Sequence, residues 1–316
     1  MLQRLTGWAR RRWLRLSIVL GLSVALGAAG CAQLAEKERE LTFRVVPGEA
    51  TWFSGIPAGM TELDLPVTVR GRSERVHAWW WKSQAANAPA VLYLHGSRWN
   101  LTGQLYRIEE LHDFGFSVLA IDYRGFGRSE GGMPSEEKVY EDAQAGFAKL
   151  AELEPDAAHR YIYGHSLGGA VAIDLAARLS ARQGPPPAAG LITESTFTSL
   201  PDIARALSYE WLPVQWIMSQ KFDSLSKIAT VRMPVLVVHG DADRYVPPRF
   251  SRALYEAAKG PKRLLLVDGG THNNSMRLGS EDYRVALHEL FGLGAASPDD
   301  APATAATARR AGNRRG

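Results

Sequence analysis

Cysteine is almost absent: Cys31 is the only one in 316 residues. No disulfide can close within the chain, so stability must come from a packed core. No Cys/His cluster has the spacing of metal ligands, and neither a metal nor another cofactor is expected. Long apolar runs are missing as well. The charge-free stretch Leu16–Gly30 is too short and too rich in small residues for a comfortable membrane span. The body of the chain carries little net charge. The formal +4 is an end effect, because Arg4, Arg10, Arg11, Arg12 and Arg15 stand at the start without an acid. The tail from Ser297 sets four arginines against Asp299 and Asp300, which leaves the body near −3. Nucleic-acid binding has no compositional support. No internal repeat is present. What is there is ordinary for a globular protein, with 46 % apolar and 22 % charged residues.

The two ends read differently from the middle. A basic segment ending at Arg15, then Leu16–Gly30, then Cys31 has the layout of an export signal over residues 1–30. Gly27-Ala28-Ala29-Gly30-Cys31 resembles the bacterial lipobox, in which cleavage precedes a cysteine that carries diacylglycerol, although Ala28 stands where Leu is usual. That resemblance implies lipidation of Cys31 and a membrane anchor without a spanning helix. The alternative is a plain secretory signal with an incidental cysteine. Arg10-Arg11-Arg12 also has a twin-arginine look, which leaves the export route open. Residues 31–40 then read as a lipidated cysteine and a polar stalk. Ala32 and Gln33, with no Asp after the cysteine, resemble the default for outer-membrane sorting in Gram-negative lipoproteins. The expected location is therefore the periplasmic side of the outer membrane, with the soluble periplasm as the alternative. Residues 295–316 are Ala/Pro/Thr/Arg of low complexity and are expected to be disordered.

Residues 41–294 read as one domain of the α/β class. Short apolar runs at 90–94, 117–121, 161–163, 190–193, 234–238 and 263–267 lack alternation and are rich in Val, Leu and Ile. Such runs suit parallel strands buried on both faces. Helical patterns lie between them: one capped by Ser135, others near 169–179, 249–258 and 282–291. Repeated β-α-β order implies right-handed crossovers and a doubly wound, mostly parallel sheet. Residues 41–85 look like an antiparallel lead-in to that sheet.

One stretch carries most of the chemistry. Gly164-His165-Ser166-Leu167-Gly168 follows an apolar strand and precedes an Ala-rich helix, as in a nucleophile elbow. The tight turn would lift the Ser166 hydroxyl above the sheet, where the Leu167 N–H and the helix dipole face a developing oxyanion. A serine needs a base to take its proton. Of the eight histidines, His272 lies in a Gly-rich loop after the last strand, where α/β sheets present their ligands. His165 lies inside the elbow, His95 and His239 precede glycines, His112 and His288 fall in helical patterns, and His77 and His159 are expected at the surface. The acid should lie between, in His239-Gly240-Asp241-Ala242-Asp243. Asp241 and Asp243 are both candidates, Asp241 with a plainer reading as the residue that braces the turn, and Glu194 is a third whose plainer reading is a cap for the segment after it. The second oxyanion donor is expected at the Ser97 N–H after His95-Gly96, with Arg98 the alternative one position on.

Several blocks together resemble one family over about residues 41–292. They are His95-Gly96, Asp122-Tyr123-Arg124-Gly125-Phe126-Gly127-Arg128-Ser129-Glu130-Gly131, Gly164–Gly169, Glu194–Ser199, Asp223–Ile228 and the His-Gly-x-x-Asp-x-x-Val-Pro block from His239. The family is the α/β-hydrolase-domain group that includes lysophospholipases and protein depalmitoylases. Members commonly have Asn after His-Gly, whereas Ser97 and Arg98 follow here. The resemblance implies the α/β-hydrolase fold and a choice of Asp243 as the triad acid. The implied activity is hydrolysis of an ester or thioester of a small or acyl-chain substrate through an acyl-enzyme. Alternatives are a peptidase or amidase, or a non-catalytic surface lipoprotein using the fold as a binding scaffold. Phe197–Lys221 is the only room for a cap, with Leu200, Ile203, Leu207, Tyr209, Trp211, Leu212, Val214, Trp216, Ile217 and Met218 as its apolar residues.

Overall fold

Short apolar segments become strands because each can bury both faces at once. In the computed structural model, which describes residues 30–294 except 70, 208–210 and 212, these segments form the middle of one eight-stranded sheet. Residues 1–29 of the export segment, the tail and the cap residues Tyr209 and Leu212 lie outside the described residues. Residues 30–42 are helical (α1). The antiparallel lead-in is present as β1 (Met60–Val69) and β2 (Arg72–Trp81). The chain continues through β3 (Ala90–Leu94), α2 (Leu101–Asp113), β4 (Ser117–Ile121), α3 (Glu136–Leu153), β5 (Arg160–His165), α4 (Leu167–Ser180) and β6 (Gly190–Glu194). Three short helices follow: α5 (Leu200–Ala206), α6 (Val214–Ile217) and α7 (Ser224–Ile228). It closes with β7 (Val235–Gly240), α8 (Arg249–Ala257), β8 (Lys262–Val267), α9 (Ser275–Leu278) and α10 (Ser280–Phe291).

The strand order is β1-β2-β4-β3-β5-β6-β7-β8. β2 pairs antiparallel with β1 and β4, and every pair from β4 to β8 is parallel. Side chains alternate across this sheet. Leu92, Leu94, Leu119 and Ile121 pack under α3 and α4 on one face. Val91, Tyr93, Val118 and Ala120 meet Leu101, Ile108, Leu111, Tyr283 and Leu287 of α2 and α10 on the other. The winding reverses at β3, which has β4 on one side and β5 on the other. That reversal opens a crevice at the C-terminal ends of β3 and β5, where ligands bind in open α/β sheets.

Some expectations need correction. β8 is half-exposed along most of its length, since it forms the sheet edge and has a neighbouring strand on one side only. α2 went unrecognised in the sequence because Gln104 and Arg107 interrupt its apolar stripe, although both are buried. His77 is no surface residue. It is buried on β2, with Nε2 3.1 Å from Glu62 Oε2 and Nδ1 3.7 Å from Asp122 Oδ2, because the 122–131 turn folds over it. That turn is structural: Asp122 Oδ1 accepts from Leu101 N at 2.9 Å. Buried Arg124 donates to Asp142 at 2.5 Å and to Glu74 at 3.0 Å. Helix α1 leans on the body, as the Glu38 carboxylate accepts from the Ser219 and Gln220 N–H groups at 2.8 Å.

Candidate active site

Strand β5 ends at His165 and α4 begins at Leu167, so the whole reversal falls on Ser166. Ser166 has φ 56° and ψ −120°, a left-handed conformation that costs a non-glycine residue about 1–3 kcal/mol. The surroundings hold it there. Its N–H donates to the Glu194 carbonyl at 2.8 Å. A Cβ on Gly164 would overlap the Gly168 carbonyl, and one on Gly168 would overlap the Leu94 carbonyl. Only glycine lets strand, turn and helix approach this closely. A Cβ on Gly96, after β3, would lie 3.4 Å from Ser166 Cβ, so the two crevice-lining loops touch at the serine.

His272, Asp243 and Ser166 meet above this turn although they are far apart in sequence. His272 Nε2 is 3.1 Å from Ser166 Oγ, and its Nδ1 is 2.7 Å from Asp243 Oδ2. With the proton on Nδ1 donated to the carboxylate, Nε2 is left to accept from the serine hydroxyl. Asp243 Oδ1 accepts from the Tyr245 and Val246 N–H groups at 2.8 and 2.9 Å. Burial pushes the Asp243 carboxyl up, but hydrogen bonds from His239 and His272, the His272 charge and the Val246 N–H outweigh it. Its pKa is held well below the usual carboxylate range. Asp241 does not reach His272; its Oδ1 accepts from Gly269 N at 2.8 Å and braces the loop, as expected.

Ser97 and Leu167 flank the serine from the two loops. Among the described residues, no hydrogen bond takes the N–H of either one. The Ser97 carbonyl is occupied by Arg44 N at 2.8 Å, which ties the loop after β3 to the segment after α1. Arg98, the alternative donor position, turns its exposed guanidinium over the Trp99 ring at 5.4 Å.

Glu194 is not placed against the His272 ring, nor does it cap the next segment. It is fully buried beneath the site. Oε1 accepts from Arg107 Nη1 at 2.7 Å, and Oε2 accepts from the Tyr163 and Tyr283 hydroxyls at 2.7 and 2.6 Å. Burial alone would raise its pKa, yet the Arg107 charge and these hydrogen bonds hold it below the ordinary glutamate value. Arg107 Nη2 donates onward to the His272 carbonyl at 3.1 Å, and His165 Nε2 lies 2.8 Å from the same oxygen. Sequence reasoning missed Arg107. Its signal was there: an arginine one residue before Ile108, on the face of α2 that carries Leu101, Gln104 and Leu111.

In the cap, Leu200 and Val214 are buried, whereas Trp211 and Trp216 are 81 % and 83 % exposed. Apolar character there does not all go into packing on the body.

The class these features define is the hydrolase of the α/β-hydrolase fold, and the chain belongs to that family. A family model described as "Serine aminopeptidase, S33" matches residues 85–227. An uncharacterised Mycobacterium tuberculosis protein, Rv2307c, is 35 % identical over 271 residues, 84 % of this chain and 91 % of that protein. The lysophosphatidylserine lipase ABHD12 of Danio rerio is 34 % identical over 226 residues, 66 % of this chain and 55 % of that one. Among solved structures, the Pyrococcus furiosus esterase Pf2001 aligns with a TM-score of 0.60 and 21 % identity, covering 79 % of this chain and 98 % of that one. This last likeness speaks for the fold.

Proposed function

We propose that the protein is a serine hydrolase that cleaves a small or lipid-like ester or thioester through an acyl-enzyme. The observation that carries the reading is the continuous chain from Ser166 Oγ through the two ring nitrogens of His272 to Asp243, at 3.1 and 2.7 Å. Ser166 Oγ attacks the carbonyl carbon while His272 Nε2 takes the hydroxyl proton. The Ser97 and Leu167 N–H groups, with the α4 dipole behind the latter, face the carbonyl oxygen as it becomes negative. Collapse of the tetrahedral species expels the alcohol or thiol, which receives the proton from His272. Water, deprotonated in turn by His272, attacks the acyl-serine and releases the acid. Asp243 holds the ring in the tautomer that each step requires and stabilises its transient charge.

Two observations favour an acyl-chain substrate: the exposed Trp211 and Trp216 of the cap, and the lipase name carried by a relative. A peptidase is the second reading, favoured by the description of the matching family model. A panel of p-nitrophenyl esters of rising acyl length beside amino-acid p-nitroanilides separates the two. Turnover of esters, abolished in Ser166→Ala at unchanged melting temperature, is expected; turnover of anilides alone would favour the peptidase.

The same reading extends to location. Cys31 lies on α1 and is exposed. A diacylated Cys31 would hold the domain at a membrane surface, with the periplasmic face of the outer membrane as the proposed site. Wild type should sediment with membranes and incorporate labelled fatty acid, whereas Cys31→Ser should incorporate none. Unlabelled wild type in the soluble fraction would contradict the anchor.

A further inference from the structure

A general base must be held within about half an ångström of its working position, and that depends on the loop as much as on the ring. Asp243 holds the ring of His272. The loop beneath it is Gly269-Gly270-Thr271-His272-Asn273, in which Gly269, Thr271 and Asn273 are exposed. Among the described residues, the backbone hydrogen bonds of His272 all fall on its carbonyl oxygen. The partners are Arg107 Nη2 at 3.1 Å and His165 Nε2 at 2.8 Å. His165 Nε2 also lies 3.0 Å from Arg107 Nη2, and burial and then the Arg107 charge push its pKa well below the ordinary value, so the ring adds no charge of its own beside the guanidinium. Arg107 supplies the charge-assisted bond, the stronger kind.

Holding a guanidinium in this place is costly. Arg107 is 0 % exposed, and a buried ion pair is often no more stabilising than apolar residues of the same volume. The whole surrounding arrangement serves to keep it there. Glu194 accepts from Arg107 Nη1, from Tyr163 of β5 and from Tyr283 of α10, and Ser275 Oγ lies 3.4 Å from Oε1. The Glu194 backbone carbonyl accepts the Ser166 N–H at 2.8 Å. One residue therefore holds the serine through its backbone and the histidine loop through its side chain and Arg107.

We propose that Arg107 is a positioning residue for the general base: with Glu194 as its counter-ion, it clamps the His272 carbonyl and so sets the distance from Nε2 to Ser166 Oγ. The inference rests on the reading of His272 as the base that activates Ser166. Losing the clamp leaves the reacting groups in place but loosely aligned, which lowers the rate of the chemical step and leaves substrate binding alone. Misplacement on the scale of an ångström costs about 100-fold in rate.

The test is the double variant Arg107→Met/Glu194→Gln, which removes both charges together and so leaves neither buried alone. It is compared with Arg107→Lys, Ser166→Ala and wild type by kcat and KM on p-nitrophenyl butyrate and by the rate of fluorophosphonate labelling. Circular dichroism checks each fold. The folded double variant should lose about 10- to 100-fold in kcat and in labelling rate together, with KM within about threefold, and Arg107→Lys should recover part of the loss. A folded double variant within twofold of wild type in both rates overturns the clamp, as does a loss confined to KM. Should the double variant not fold, Arg107→Lys is read by the same criteria: a lowered kcat at unchanged KM supports the clamp, and wild-type rates overturn it. Ser166→Ala keeps the two readings apart. Activity in that variant means that the serine assignment has failed, whereas an inert Ser166→Ala beside a fully active Arg107 variant means that only the clamp has.

Discussion

Ser166 is strained by its place in the turn, and the same turn is what exposes its hydroxyl to His272. Three independent supports hold it: the Glu194 carbonyl on its N–H, and Gly164 and Gly168 where any side chain would collide with backbone. The two aspartates of the β7 loop divide the work by geometry. Asp243 meets His272 Nδ1 at 2.7 Å and Asp241 meets Gly269 N at 2.8 Å, so the same chemical change should give unlike results. Asp243→Asn presents an amide where the imidazole needs an acceptor and should lower kcat by about 10⁴, by analogy with triads elsewhere. Asp241→Asn should stay within about threefold of wild type, since it touches only a loop brace. Steady-state kinetics on one ester checks both, and a reversal of the two would move the acid to Asp241. The serine, the histidine and the pair of aspartates were legible in the sequence because the elbow pattern, the chain order and the ends of apolar strands constrain them, while the choice of Asp243 within the pair rests on the resemblance to the family. Arg107 was not, because what makes it matter is its partners: Glu194, 87 positions away, and the His272 carbonyl, 165 positions away.

At the scale of elements, the segments read from sequence are those that physical chemistry marks most strongly. The runs at 90–94 and 117–121 coincide with β3 and β4, because an apolar segment covered on both faces has little freedom in where it begins and ends. Ser135 caps α3 as expected, its hydroxyl accepting from Lys138 N at 3.3 Å. α2 was hidden for the opposite reason: the face it buries is partly polar, with Gln104 bonded to Tyr93 and Arg107 to Glu194. The packing of α4 against β3 leaves no room for a side chain at Gly168. In Gly168→Ala the added methyl meets the Leu94 carbonyl, a backbone atom that cannot rotate away. Relieving that overlap requires strand and helix to separate, which should cost about 3 kcal/mol of stability and most of the activity. Urea unfolding measures the first and ester turnover the second; a variant as stable as wild type would show that the joint is looser than described.

For the molecule as a whole, the carboxylates that organise the site also set its response to acid. Asp243 and Glu194 are held below their ordinary pKa values in the folded protein. As the pH falls, the unfolded chain therefore takes up protons first, at about pH 4. The stability these two contribute is complete above that range and is lost as the pH drops toward their folded values. Urea midpoints should fall between pH 7 and pH 3.5, and the fall should be smaller in Asp243→Asn, which has one such carboxylate fewer. A chain with one cysteine, which can form no disulfide within itself, has its core and such ion pairs to rely on. What the whole arrangement achieves is one activated hydroxyl, and covalent capture reads that directly. Wild-type protein treated with a fluorophosphonate, digested and analysed by mass spectrometry should carry one adduct, on Ser166. Ser166→Ala should carry none, and His272→Ala should label at least about 100-fold more slowly. An adduct on another residue, or labelling of Ser166→Ala at the wild-type rate, would contradict the account.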